Sequence, residues 1–87
     1  MKILQTVIEE EKEGFLALMG QTITVYCMNY IYTGKLVGVN SDQIKLENAK
    51  IVYETGSFNS KEWKTTEAFP NDIYLRHSAI EMYTILK

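Results

Sequence analysis

The stretch YTGKLVGVNSDQIKLENA, Tyr32 to Ala49, decides how this chain folds. It starts as a strand-like run, carries glycine at positions 34 and 38, breaks into the polar knuckle Asn40-Ser41-Asp42-Gln43, and resumes at Ile44-Lys45-Leu46. Interior glycine weakens a strand, because it adds chain entropy to be lost on folding and supplies no side chain to pack. Two glycines in one strand point to a sharp bend, a close backbone contact, or both.

On the N-terminal side, Thr22 to Cys27 alternates polar and apolar residues, the pattern of a half-buried strand. Met28-Asn29 offers a tight reversal, since asparagine tolerates positive φ. Strands are expected at about 22–27, 30–39, 44–53, 72–76 and 79–86. Ahead of them, Leu4, Val7, Ile8, Phe15, Leu18 and Met19 recur at helical spacing. They predict an amphipathic helix within residues 3–19, ended by Gly20, with Glu9 to Glu13 as a solvated face. Gly14 interrupts that helix and allows it to be confined to its second half. Residues 54–71 hold Gly56, Ser57, Asn59, Ser60 and the lone Pro70, and read as a long loop. Trp63 and Phe69 within it are expected to pack down on the strands.

The whole chain, 1–87, is therefore a single mostly β domain: an N-terminal helix followed by five short antiparallel strands. A strongly bent second strand suits a small, twisted, partly closed barrel, because one bent strand can serve both sheets. Gly34 and Gly38 would permit the curl where a Cβ would clash.

Composition narrows the function. Hydrophobic residues are 46% and charged residues 23% of the chain, an ordinary globular balance. A domain this small buries a modest fraction of its surface, which makes subunit association unsurprising. The net charge of −2 gives no whole-chain electrostatic footprint for duplex DNA. No apolar run approaches the roughly 20 residues that span a bilayer, and no signal sequence is evident. With one cysteine, Cys27, read as a buried thiol, the expectation is a soluble cytoplasmic protein.

Catalytic chemistry is missing. There is one histidine, no CxxC or HExxH spacing, no glycine-rich phosphate loop and no GxSxG elbow. No enzymatic activity, metal or cofactor is expected.

The order helix, then five strands with a glycine-bent second strand, is also that of the Sm-like family, and the residues resemble it too. FLALMG followed by QTITVYC looks like that family's leucine-rich helix, glycine and alternating first strand. YTGKLVGVNSDQIKLENA is similar to the first Sm motif, and LRHSAIEMY (Leu75–Tyr83) resembles the second. The knuckle length is closer to bacterial Hfq than to eukaryotic Sm proteins, and Arg76-His77 echoes the Lys-His pair of Hfq. The resemblance is to a divergent bacterial, archaeal or phage member, and it covers roughly two-thirds of the chain.

That resemblance implies a five-stranded Sm-like (SH3-type) barrel and a homo-oligomeric ring of about five to seven subunits. In such rings the fourth strand of one subunit pairs with the fifth of the next. The short apolar edges here agree, since unpaired they would be an association hazard. Tyr74, Met82 and Tyr83 are the candidate contacts. The resemblance also implies single-stranded RNA bound by two pore-facing knuckles, which here are Asn40, Ser41 and Asp42 together with Arg76, His77 and Ser78. Asn40 can offer its amide to a base edge, or cap its own turn instead. Arg76 and His77 can meet phosphate or stack, while Arg76 can equally pair with Glu47 or Asp42 of a neighbour. Asp42 would ring a pore with negative charge, and with the acidic balance it favours a second reading: a ring or barrel used as a protein-assembly scaffold through residues 54–71. A monomeric SH3-like barrel recognising a peptide fits the strand number but leaves the edges unexplained.

Overall fold

The computed structural model describes residues 13–87, so the first part of the expected helix lies outside the described residues. What is described of it is one turn, α1 (Gly14–Ala17). Beyond that turn Gly20 takes φ 83°, the left-handed conformation that suits a glycine ending a helical segment.

Six strands follow: β1 (Thr22–Cys27), β2 (Ile31–Val39), β3 (Gln43–Glu54), β4 (Thr65–Ala68), β5 (Ile73–Arg76) and β6 (Ile80–Ile85). A 3-10 turn, His77–Ala79, joins the last two. All pairings are antiparallel, in the order β4-β3-β2-β1-β6, and β5 pairs with β3 as well. Two expectations change here. The described residues form six strands, because Thr65–Ala68 forms β4 inside the segment read as a loop. The sheet is also open: neither β4 nor β5 pairs with β6, so no barrel closes among the described residues. The sequence hides β4 because its four residues are mostly exposed and sit among turn formers.

β3 organises the sheet. Its first part, Gln43 to Leu46, pairs with β5, and its last part, Lys50 to Glu54, pairs with β4. Between them lies a bulge. Thr33 stands opposite Lys50 and Lys35 opposite Glu47, so Asn48 and Ala49 together face Gly34 alone. Asn48 takes φ 52°, a left-handed conformation that asparagine adopts more readily than most residues. A second bulge leaves Val37 as the extra residue between the Leu36–Leu46 and Gly38–Lys45 pairs. The β1–β2 reversal at Met28-Asn29 forms without a positive φ at Asn29, closed by the Cys27 N–H to the Tyr30 carbonyl at 3.0 Å.

The bends wrap the sheet around a small core. Ile23, Val25, Leu36, Ile44, Leu46 and Ala49 are fully buried. Phe15 and Leu18 cover it from the N-terminal segment, and Phe69 from beyond β4. β1 is less amphipathic than its alternation suggests. Thr24 is buried too, and its hydroxyl donates to the Leu86 carbonyl, so this strand is covered on both faces. Cys27 is half-buried against the core, and burial pushes its thiol pKa up, with Glu81 adding to the effect. No helix among the described residues is long and apolar enough to cross a membrane.

The two glycines are not equivalent. A Cβ on Gly34 would meet the Ala49 Cα at 3.1 Å and the Glu47 carbonyl at 3.2 Å, both backbone atoms that cannot swing away. A Cβ on Gly38 would meet only the Lys45 Cβ, at 3.4 Å. Gly34→Ala is expected to destabilise the fold by about 1–3 kcal/mol, the usual cost of overpacking. Gly38→Ala should stay within about 1 kcal/mol of the parent, since reduced freedom of the unfolded chain offsets a slight crowding. Urea unfolding midpoints of the two variants decide between these outcomes; equal losses at both sites would refute the distinction.

Candidate functional site

The bent sheet brings the two polar knuckles together. The first turn is built by Asn40, whose side-chain Oδ1 accepts the backbone N–H of Asp42 at 2.8 Å and of Gln43 at 2.9 Å. Its own N–H donates to the Gln43 carbonyl at 3.0 Å. Asparagine thus completes the turn with its side chain, as Asx residues do. The oxygen is committed there, which leaves the side-chain NH2 as the group free to face a ligand.

The second knuckle docks on the first through His77. Its backbone N–H donates to the Asp42 carbonyl at 2.9 Å. Its ring Nε2 lies 2.7 Å from the Asn40 carbonyl. A carbonyl only accepts, so Nε2 carries the proton and Nδ1 is left over. The Phe15 ring sits 5.4 Å from the imidazole and stacks on Tyr83 at 3.8 Å. His77 is therefore first of all the joint between knuckles.

Arg76 stands opposite Gln43 in the β3–β5 register, exposed, and makes no ion pair among the described residues. With Ser41, Asp42, Gln43, His77 and Ser78 it lines a polar concavity of about 580 Å³. Asn40 lines the adjoining one, of about 540 Å³, with Ser41, Phe15 and His77. All six knuckle residues named from the sequence thus fall in one region. The arrangement offers one guanidinium, one carboxylate, an amide NH2 and two exposed serines. Nothing in it resembles a nucleophile with its base.

The candidate edge residues divide. Tyr74 on β5, which pairs with β3, is 57% exposed, and Met82 on β6, which ends the sheet order beside β1, is 48% exposed. Tyr83 faces the other way, its ring packed against Phe15 and the core. The period of two along β6 accounts for the difference. Lys45 reaches the Tyr74 ring at 5.6 Å and Asp72 at 3.7 Å; Tyr74 first, then Asp72, raise the lysine above its usual pKa.

The sequence reading did not single out Lys87. Its Nζ donates to the carbonyls of Thr55, Ser57 and Glu62 at 2.8, 2.7 and 2.9 Å. It also lies over the Trp63 ring at 4.7 Å and the Phe58 ring at 5.8 Å. Leu86, with φ 58°, turns the chain just before it. This ammonium ties down the segment between β3 and β4, and Trp63 packs against it while Phe58 stays 64% exposed. A lysine without acidic neighbours in sequence gives no hint of such a role.

No family model matches the chain, and no curated protein matches it either.

The turn chemistry at Asn40 is testable. Asn40→Ala removes two hydrogen bonds to backbone donors and is expected to cost about 1–2 kcal/mol. Asn40→Asp keeps an acceptor in the same place and should recover most of that loss. Thermal denaturation of the pair reads the difference; an aspartate variant as weak as the alanine one would show that the side-chain oxygen is not what holds the turn.

Proposed function

We propose that the chain is an Sm-like protein that assembles head to tail into a homo-oligomeric ring of about five to seven subunits and binds single-stranded RNA at pore-facing knuckles. The observation that carries this reading is the meeting of two knuckles from distant parts of the sequence. They are joined by His77, and Arg76 beside them makes no ion pair among the described residues.

The open sheet supports the assembly half of the reading. β5 and β6 are short, each has only one paired side among the described residues, and each carries an exposed large side chain, Tyr74 and Met82. Pairing β5 of one subunit with β6 of the next would satisfy both edges without creating new ones, provided the rotation closes. Repetition around a ring would place several copies of Arg76 and of the Asn40 amide around one opening. Cationic and amide groups in that setting suit phosphate and base edges of a single strand.

Asp42 in the same concavity as Arg76 favours the scaffold reading, in which the ring organises proteins and binds no RNA. One set of measurements separates the two. Native mass at micromolar concentration should give a discrete oligomer of about five to seven subunits. Arg76→Ala should then weaken binding of a short single-stranded RNA by roughly tenfold or more and flatten its salt dependence. A monomer overturns both ring readings. A ring whose RNA binding is absent, or indifferent to Arg76, leaves the scaffold.

A further inference from the structure

A second cationic site lies beyond the bulge in β3, away from the knuckles at its start. The described lysines and arginine without an ion pair or hydrogen bond are Lys35, Lys50, Lys61 and Arg76. The first three line one open cavity of about 620 Å³, a size that accommodates a small organic ligand. Glu62 is the only carboxylate on its wall. Lys35 faces Glu47 in the β2–β3 register yet makes no ion pair with it. Three uncompensated ammonium groups in a chain of net charge −2 form a local anion site.

The rest of the wall selects among anions. Trp63, half-buried, lines the cavity and its indole N–H has no hydrogen-bond partner among the described residues. The Asn48 side chain, exposed on the left-handed turn of the bulge, also lines it and is likewise unpartnered. Lys87 grips the Glu62 carbonyl and sits over Trp63, so the Lys61–Trp63 wall is held in place before any ligand arrives. Phosphate meets ammonium, a planar base stacks on indole, and an amide reads a base edge.

We infer that Lys35, Lys50, Lys61 and Trp63 form a binding site for a nucleotide unit, its phosphates on the lysines and its base on the indole. The unit can come as a free nucleotide or as part of a single strand. The site does not depend on ring assembly or on the knuckles.

Trp63 is the chain's only tryptophan, so its fluorescence reports on this site alone. The probes are adenosine 5′-diphosphate and a six-nucleotide single-stranded RNA, each titrated into the full chain. Saturable quenching by either one supports the site; quenching by the strand alone assigns it to RNA, and by the diphosphate to free nucleotide. Lys35→Ala, Lys50→Ala and Lys61→Ala should each weaken the quenching ligand by roughly tenfold. Lys64→Ala, whose lysine already pairs with Glu54 at 3.3 Å, should not. Lys61 sits on an exposed connection, so its variant keeps the fold and its result stands alone. No saturable quenching by either probe, or an affinity unmoved by Lys61→Ala, overturns the inference.

Discussion

Where β2 meets β3, a Cβ on Gly34 would come within 3.1 Å of the Ala49 Cα and 3.2 Å of the Glu47 carbonyl, tighter than ordinary packing, and the rest of the architecture depends on that close approach. The chain accommodates it by giving β3 one residue more than β2, with Asn48 in the left-handed conformation. A bulge of this kind bends its strand and increases the local twist. The bend lets one strand serve two partners in succession, β5 before it and β4 after it. It also turns Ala49 inward to close the core with Leu46 and Leu36. A straight β3 would splay β4 and β5 into one flat edge, and the six fully buried apolar side chains would lose their common centre.

The same bend sets the positions of both polar sites. Ahead of the bulge, the β3–β5 register places Arg76 opposite Gln43 and brings His77 onto Asn40 and Asp42. Behind it, Lys50 comes near Lys35 and the Trp63 segment returns across the sheet. Phe69 secures that return, with its N–H on the Ala49 carbonyl at 2.9 Å and its ring 6.1 Å from Tyr32. Breaking the edge between β4 and β5 at Phe69 to Asp72 follows from the same geometry. A single straight strand cannot pair with both halves of a bent one, and Pro70 lacks a ladder donor.

Much of this was legible in the sequence, and the reasons differ by residue. Gly34 and Gly38 alike point to a bend or a close contact, and only the register shows that the close contact is at Gly34. The bulge that accommodates that approach was silent, since Asn48, in the middle of an expected strand, reads as ordinary until the register is known. Asn40 could be read two ways from sequence, and its oxygen turns out to serve the turn. β4 was illegible because strand formation there comes from pairing with β3, with little side-chain burial to leave a pattern. The open sheet was missed because bending and closure look alike in one dimension. Lys87 carries no local signal at all: its partners are three backbone carbonyls, which every residue possesses.

The distribution of charge adds a constraint that total charge conceals. Lys45 and Lys64 have carboxylate partners, and Lys87 is enclosed by carbonyls and rings. Exposed ion pairs of this sort add little stability, typically below about 1 kcal/mol, but they do neutralise the surface around them. Among the described residues the cations left over are Arg76, beside the start of β3, and the Lys35, Lys50 and Lys61 group beyond its bulge. A chain of net charge −2 repels polyanions broadly, and these described cations are its local exceptions. Such a surface disfavours indiscriminate binding to duplex phosphate and leaves short, specific contacts as the mode open to it. Asp42 shares the knuckle concavity with one guanidinium, Arg76, whereas in the lysine cavity Glu62, the one carboxylate among its described lining residues, stands against three lysines. Of the two concavities, the one beyond the bulge therefore gathers the greater positive charge.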